Sequence, residues 1–312
     1  MLDDKSKVLY EHLLAYARFP VKKLSHIINS SEATIVNRIK NLEKDGYISR
    51  YDAIINWQKL SFIKKVYFIK VSKNTKKFES EMINQHPVFS IIELNGLYNY
   101  QVWCFFNTKK QISEFERIIK KLGYHQIEIN ELVFPRVTFF AINLKLQLPK
   151  IKDNNIKINK IDIAIMKYMA QGHGRDSFYS ISKAIKLPYD SVHYHGMKIL
   201  NSGYFIAIIA QPGTNKLTLQ TTSLLIECIN DSSSDKLFEL LKKLPKVQSD
   251  AIGKENKILV HFLSQTHIEY RESLSKILDL IPKDEIKDVL ITHWSNVIMN
   301  NRYPLEYLLK SK

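Results

Sequence analysis

Apolar residues in the first 60 positions recur three and four apart and then switch to alternation. Val8, Leu9, Leu13, Leu14 and Ala17 fall on one side of a helix that Pro20 ends. Val21, Leu24, Ile27 and Ile28 predict a short second helix, and Asn29-Ser30-Ser31 a turn whose serines cap the next helix. A third helix is expected from Glu32 to Lys44, with Ile35, Ile39 and Leu42 on one face and Thr34, Asn37, Arg38 and Asn41 on the other. Asp45-Gly46 stops it, and Tyr47 to Ile55 alternates as a hairpin would. Three helices, a polar turn before the third, then a hairpin predict a winged helix-turn-helix. In such a unit the third helix enters the DNA major groove and the wing touches the backbone.

Beyond Val66 the period changes. Strands are expected at Val66 to Val71, Val88 to Leu94, Tyr98 to Phe106 and Gln126 to Phe134, with helices at Thr75 to Gln85 and Lys109 to Leu122. That order is βαββαβ, and Val137 to Leu146 reads as an additional strand. The runs Val66 to Val71 and Tyr100 to Phe106 are apolar at too many positions for a solvated face, so the sheet needs a partner.

The partner is foreshadowed by a repeat. Displaced by 157 residues, Arg18 meets Arg175, Ser25 meets Ser182, Ile28 meets Ile185 and Ala53 meets Ala210. Residues 1–155 hold three glycines, and two of them, Gly46 and Gly96, land on Gly203 and Gly253. Glycine marks backbone positions with special needs, so these coincidences indicate a duplication. The second copy keeps Ile163, Ile165, Met166 and Met169, then Ile181-Ser182 and Ile185, then Val192, Ile199 and Leu200. Its third helix has no arginine, carries His195 where the first copy has Arg38, and contains Gly196, which costs about 1 kcal/mol in a helix. His193 and His195, two apart, point in nearly opposite directions and do not form a metal pair.

The expected class is therefore α+β: two tandem units, each a winged helix-turn-helix plus a ferredoxin-like βαββαβ sandwich. Expected domains are 1–60 and 64–147, a linker at 148–157, then 158–217, 220–293 and a C-terminal extension at 294–312, helical around Leu305 to Leu309.

Residues 1–60 resemble the N-terminal domain of the Lrp/AsnC family of regulators. The resemblance rests on Leu2-Asp3, Ala17-Arg18, Leu24-Ser25, Ser31, the run Ile35-Val36-Asn37-Arg38-Ile39-Lys40-Asn41-Leu42-Glu43, Gly46-Tyr47-Ile48, Tyr51-Asp52-Ala53, Ile55-Asn56 and Leu60. It implies that Ser31, Thr34, Asn37 and Arg38 touch bases and phosphates of double-stranded DNA; Asn41 and Arg50 are further candidates, and His195 in the second copy either touches phosphate or belongs to a winged helix that only packs. Residues 64–147 resemble the regulation-of-amino-acid-metabolism domain of the same family, which pairs sheet to sheet. That likeness implies a small-molecule effector near Gly96, Tyr98 and Asn99. Asn99 stands where the family usually has an acidic residue, so the carboxylate that would pair an α-amino group is missing. Siroheme decarboxylases resemble the same family and occur as fused or paired copies, which leaves an enzyme acting on a polycarboxylate tetrapyrrole as an alternative. A chromatin-like or scaffold protein is a further one.

Charge fits a polyanionic partner. The 312 residues carry a net charge of +15. Residues 1–150 hold 24 basic against 14 acidic side chains, and residues 151–312 hold 22 against 17. Cys104 and Cys228 each lie in an apolar run, which fits a reducing compartment and neither a disulfide framework nor a zinc site. No apolar run approaches the roughly 18 residues of a membrane span, and Met1-Leu2-Asp3-Asp4-Lys5 is no signal peptide. No phosphate loop, nucleophile elbow or Cys/His cluster marks an enzyme. The expectation is a cytoplasmic, nucleoid-associated protein with no cofactor or metal. Its two sandwiches pair within one chain as a pseudo-dimer, with further homo-oligomerisation open.

Overall fold

The computed structural model describes residues 2–57, 59–71, 75–121, 125–137, 156–213, 220–241, 244, 247–252, 256–264, 266–299 and 305. The first copy begins with helices α1 (Asp4–Ala15), α2 (Val21–Ile28) and α3 (Glu32–Lys44) and strand β1 (Ile48–Ile55). It continues through β2 (Ile63–Lys70), α4 (Thr75–Ile83), β3 (Val88–Asn95), β4 (Tyr100–Phe106), α5 (Lys109–Lys121) and β5 (His125–Val137). The second copy repeats the order as α6 (Lys160–Ala170), α7 (Phe178–Ile185), α8 (Tyr189–Leu200), β6 (Phe205–Pro212) and β7 (Gln220–Cys228). Then come α9 (Asp231–Leu241), β8 (Val247–Ile252), β9 (Lys257–Ser264), α10 (His267–Asp279) and β10 (Ile286–Met299). The α+β class and the tandem repeat of helix-turn-helix and ferredoxin-like halves are as the sequence predicts. The extra strand beyond Val137, most of the linker, the Gly253 turn and the helix around Leu305 to Leu309 (Leu305 itself apart) lie outside the described residues.

Local chemistry sets the helix ends twice over. Asp3 caps α1 by accepting from the Ser6 amide, and Ser31 caps α3 by accepting from the Thr34 amide. Asn159 and Asp162 form a reciprocal capping box at the start of α6. The copies also share their left-handed residues. Asn29 (φ 50°) and Lys186 (φ 55°) close α2 and α7, and Gly46 (φ 74°) and Gly203 (φ 76°) follow α3 and α8. Each pair is 157 residues apart, so the duplication is written in the backbone.

The compact units do not follow chain order. One gathers the described parts of residues 1–59 and 142–218, the other those of 60–141 and 219–307. In the first unit β1 pairs antiparallel with β6, with Tyr51 opposite Ala210, Asp52 opposite Ile209 and Ala53 opposite Ile208. Asp52 and Ile209 are themselves 157 apart, so the register maps onto itself about that pair, as in an isologous dimer contact. This corrects the expectation of a hairpin at Tyr47 to Ile55. Ile48 to Ile55 form one strand because no Asn-Gly or Gly-Gly turn interrupts them, and their backbone groups pair with the other copy. Gly213 sits where a Cβ would run into the Gly46 carbonyl oxygen, and its amide donates to Tyr47 O.

In the second unit eight described strands close a barrel in the order β10-β3-β4-β2-β5-β8-β9-β7. Each copy contributes four strands, and the two joins, β5 with β8 and β10 with β3, are equivalent under the repeat. Closure removes the free edges a lone four-stranded sheet would expose. β4 is buried at every position: Tyr100, Val102, Cys104 and Phe106 pack on the helix side, while Trp103 faces the barrel interior with Val66, Phe68, Ile92, Leu225 and Leu259. The boundary expected after His293 falls inside β10. That strand pairs with β7 up to His293 opposite Thr222, then continues along β3 with Trp294 opposite Leu94 and Val297 opposite Ile92.

Candidate nucleic-acid interface

The buried stripe of Ile35, Ile39 and Leu42 fixes the roll of α3. Its opposite side leaves Thr34, Asn37, Lys40, Asn41 and Lys44 exposed, along with Val36, while Ser31 is held at the cap by hydrogen bonding to Thr34. Thr34, Asn37, Arg38 and Asn41 line one wall of a cleft of about 470 Å³, whose other wall is Leu2, Asp3 and Ser6 at the start of α1. Tyr51 ties the helix to β1 by donating to Glu43 Oε1 at 2.6 Å. Burial, and then that bond, raise the Tyr51 pKa.

Arg38 is held where the start of α1 meets α3. Its Nη1 lies 2.7 Å from both Asp3 carboxylate oxygens and 2.5 Å from Ser6 Oγ. Its Nε is buried without a hydrogen-bond partner among the described residues. The Arg38 hydrogen bond is the largest cause of an Asp3 pKa lowered to about 2. Sequence reasoning placed Arg38 on the polar face but gave no sign that its guanidinium is shared with the N-cap residue of α1.

The second copy repeats the clasp in buried form. His195 Nδ1 is 2.7 Å from Asp162 Oδ1, and Lys198 Nζ is 3.0 Å from Asp162 Oδ2. Asp162 is fully buried and needs both partners. His195 therefore turns toward α6, in keeping with the packing alternative to phosphate contact. Gly196 has a packing reason: a Cβ there would collide with the Phe178 ring, so glycine lets α7 and α8 approach.

Arg50 lies in β1 and pairs with buried Asp52 at 3.1 Å. The Gly96, Tyr98 and Asn99 turn is tightly engaged. Tyr98 is buried, a Cβ on Gly96 would touch Ile291 O at 3.5 Å, and Asn99 Oδ1 accepts from the Val71 amide at 2.7 Å. Asn99 thus secures the end of β2, a role that uses its side-chain oxygen.

The sequence reading missed a polar cluster inside the barrel. Ser223 Oγ lies 2.8 Å from His261 Nδ1 and accepts from Trp294 Nε1 at 2.7 Å, while the Trp103 and His261 rings are 5.9 Å apart. Lys64 Nζ sits 4.3 Å over Trp103. Burial, with Lys64 as the lesser cause, lowers the His261 pKa to about 3. Gln101, buried on the same face of β4 as Trp103, has no partner for its amide among the described residues. These residues come from both copies, and nothing in the periodicity of either strand announces the meeting. Among the described residues no group of three or more His, Cys, Asp or Glu side chains could hold a metal, and no helix is long and apolar enough to cross a membrane.

No family model matches the chain. The HTH-type transcriptional regulator FL11 of Pyrococcus furiosus is 25% identical over 118 residues, 37% of this chain and 78% of the relative. The HTH-type transcriptional regulator LrpA of Pyrococcus abyssi is 34% identical over 62 residues, 20% of this chain and 44% of the relative. Over these stretches the chain is similar to HTH-type transcriptional regulators. These relatives are consistent with its Lrp/AsnC resemblance, and the solved structure of a siroheme decarboxylase, NirDL, shares its tandem layout. That structure covers 98% of this chain and 97% of its own, with a TM-score of 0.62 and 11% identity, a likeness of fold alone.

Proposed function

We propose that the chain is a sequence-specific transcription regulator that binds double-stranded DNA on the nucleoid, in the cytoplasm, and reads it mainly with α3. The observation that carries this reading is the solvent face of α3: Thr34, Asn37 and Asn41 exposed at helical spacing, with Lys40 and Lys44 beside them. An asparagine amide matches the donor and acceptor edge of adenine, and lysines reach phosphate. Arg38 serves position rather than base reading. Its Nη1 is engaged by Asp3 and Ser6 and its Nε is buried, so the two-donor grip that favours guanine is not free. Ser31 acts as the cap, Arg50 is a flanking phosphate contact, and the two copies act as an internal pseudo-dimer. The preferred site is expected to be adenine-rich in the half read by α3 and asymmetric overall, because α8 differs. Selection of duplexes from a random pool, followed by fluorescence anisotropy, is the test. Asn37→Ala should cost roughly 1–3 kcal/mol at one base pair and relax the choice there. A pool that yields no shared motif refutes sequence-specific reading.

The whole-length likeness of fold to NirDL favours one second reading, an enzyme acting on a polycarboxylate tetrapyrrole. The described barrel cluster offers Lys64 and a His261 that is neutral at neutral pH, a sparse cationic set for such a ligand. Visible absorption after incubation with siroheme separates the two: a bound chromophore supports the enzyme, an unaltered free spectrum the regulator.

A further inference from the structure

The outward face of the second reading helix differs in kind from the first. Under the 157-residue repeat, Lys22, Glu32, Val36, Asn37 and Lys40 correspond to Tyr179, Tyr189, His193, Tyr194 and Met197. A polar, charged surface in one copy is thus an aromatic one in the other. Tyr179 is 56% exposed, Tyr189 46%, Tyr194 68% and Met197 42%. Tyr189, His193 and Met197 succeed one another at four-residue steps along α8, and Tyr179 reaches in from α7.

Three of the rings form a connected set, while Tyr194 stands beside it, edge-on to His195 at 5.2 Å. Tyr179 meets Tyr189 at 6.4 Å between centroids, and Tyr189 meets His193 at 5.7 Å with 34° between planes. Phe178, edge-on to His193 at 5.4 Å, backs the cluster from below. Lys183 Nζ lies 4.4 Å from the Tyr179 ring centroid, and Lys186 is exposed nearby. Clustered exposed aromatics of this kind mark a binding surface.

The chemistry selects among occupants. A duplex hides the faces of its bases in the stack and offers only edges, which call for amides and cations. The cation on α8, Lys198, is committed to Asp162. An unpaired strand offers base faces, and these stack on tyrosine and histidine rings whatever the sequence. With bases against the rings, phosphates point outward toward solvent, Lys183 and Lys186, and the exposed Asp190 in the first turn of α8 is tolerated. The net charge of +15 draws in a polyanion, whereas an apolar protein surface gains nothing from it.

We propose that the α7–α8 face of the second copy binds single-stranded nucleic acid by stacking unpaired bases on Tyr179, Tyr189 and Tyr194. This site is separate from duplex reading by α3 and stands without it.

The test uses the full chain and labelled homopolymeric DNA strands of about 15 nucleotides, long enough to span one such platform. Fluorescence anisotropy should show binding that Tyr179→Ala, Tyr189→Ala and Tyr194→Ala each weaken by about 5- to 100-fold. The matching phenylalanine variants, which keep the ring, should retain it. Circular dichroism checks folding, and a duplex arm with the same variants should be unchanged, so failure of duplex reading appears there alone. Single-strand binding that is absent, or indifferent to the tyrosines, overturns the proposal. So does a change of oligomeric state in the alanine variants with single-strand binding intact, which would make the face a protein contact.

Discussion

Arg18 and Arg175 make the same hydrogen bond in opposite directions. Arg18 Nε donates to Gly174 O at 2.7 Å, and Arg175 Nε donates to Ala17 O at 3.1 Å. Donors and acceptors are both 157 residues apart, so each copy grips the other at one shared seam. The two sides have since diverged. Arg18 adds a bond to Asp176 O and lies over Phe178, and burial lowers its pKa; Arg175 instead lies over Tyr51 and near Glu43.

Arg18→Ala and Arg175→Ala are each expected to destabilise the chain by roughly 1.5–3 kcal/mol, the range for hydrogen bonds to a charged group. The double variant should lose less than the two losses added, because both act on one seam. Urea unfolding of the three variants measures this, and strict additivity would show that the two grips are independent.

Gly196→Ala should destabilise despite the better helix propensity of alanine. The new methyl meets the Phe178 ring, and overpacking costs about 1–3 kcal/mol against a propensity gain of about 1 kcal/mol. Adding Phe178→Leu should recover part of the loss. A Tm that rises on Gly196→Ala alone would contradict the close approach of α7 and α8.

Stability should fall as the medium is acidified through the range set by His261. Its pKa drops from 6.5 to about 3 on folding, chiefly through burial, so the unfolded chain binds a proton that the folded chain refuses. The contribution is complete above pH 6.5 and erodes as pH falls toward 3, at up to about 1.4 kcal/mol per pH unit. His261→Gln should flatten that part of the curve in denaturant titrations at stepped pH. An unchanged slope would mean that His261 is not held neutral in the barrel.

Residues 1–150 alone should not behave as a monomer. Without its repeat, the first sheet exposes the β3 and β5 edges and the interior face of Trp103, and β1 loses its only strand partner among the described residues. Light scattering at tens of micromolar should show dimers or aggregates, and a well-behaved monomeric half would contradict closure of the barrel by the second copy.

Most elements were legible in the sequence because local rules write them. Periodicity in the runs Ile35-Ile39-Leu42 and Tyr100 to Phe106, the cap at Ser31 and the stop at Gly46 placed helices and strands within a few residues. Pairing was not legible. The Tyr47 to Ile55 alternation says that a strand forms but not that its neighbour is 157 residues away, and nothing in Trp294 to Met299 says that β10 outlasts β7 and goes on to β3. At the candidate site, the polar face of α3 could be read from spacing. The hold of Asp3 on Arg38 and the inward turn of His195 could not, since both depend on where α1 and α6 come to lie.

The self-matching register about Asp52 and Ile209 has a genetic corollary. In a dimer of identical chains every substitution is made twice, and a change that helps one half-site is forced upon the other. Here one covalent chain supplies both halves, so each change is felt once. The seam can stay near-symmetric while the outward faces drift apart, and α3 with its asparagines beside α8 with its tyrosines is that freedom already spent.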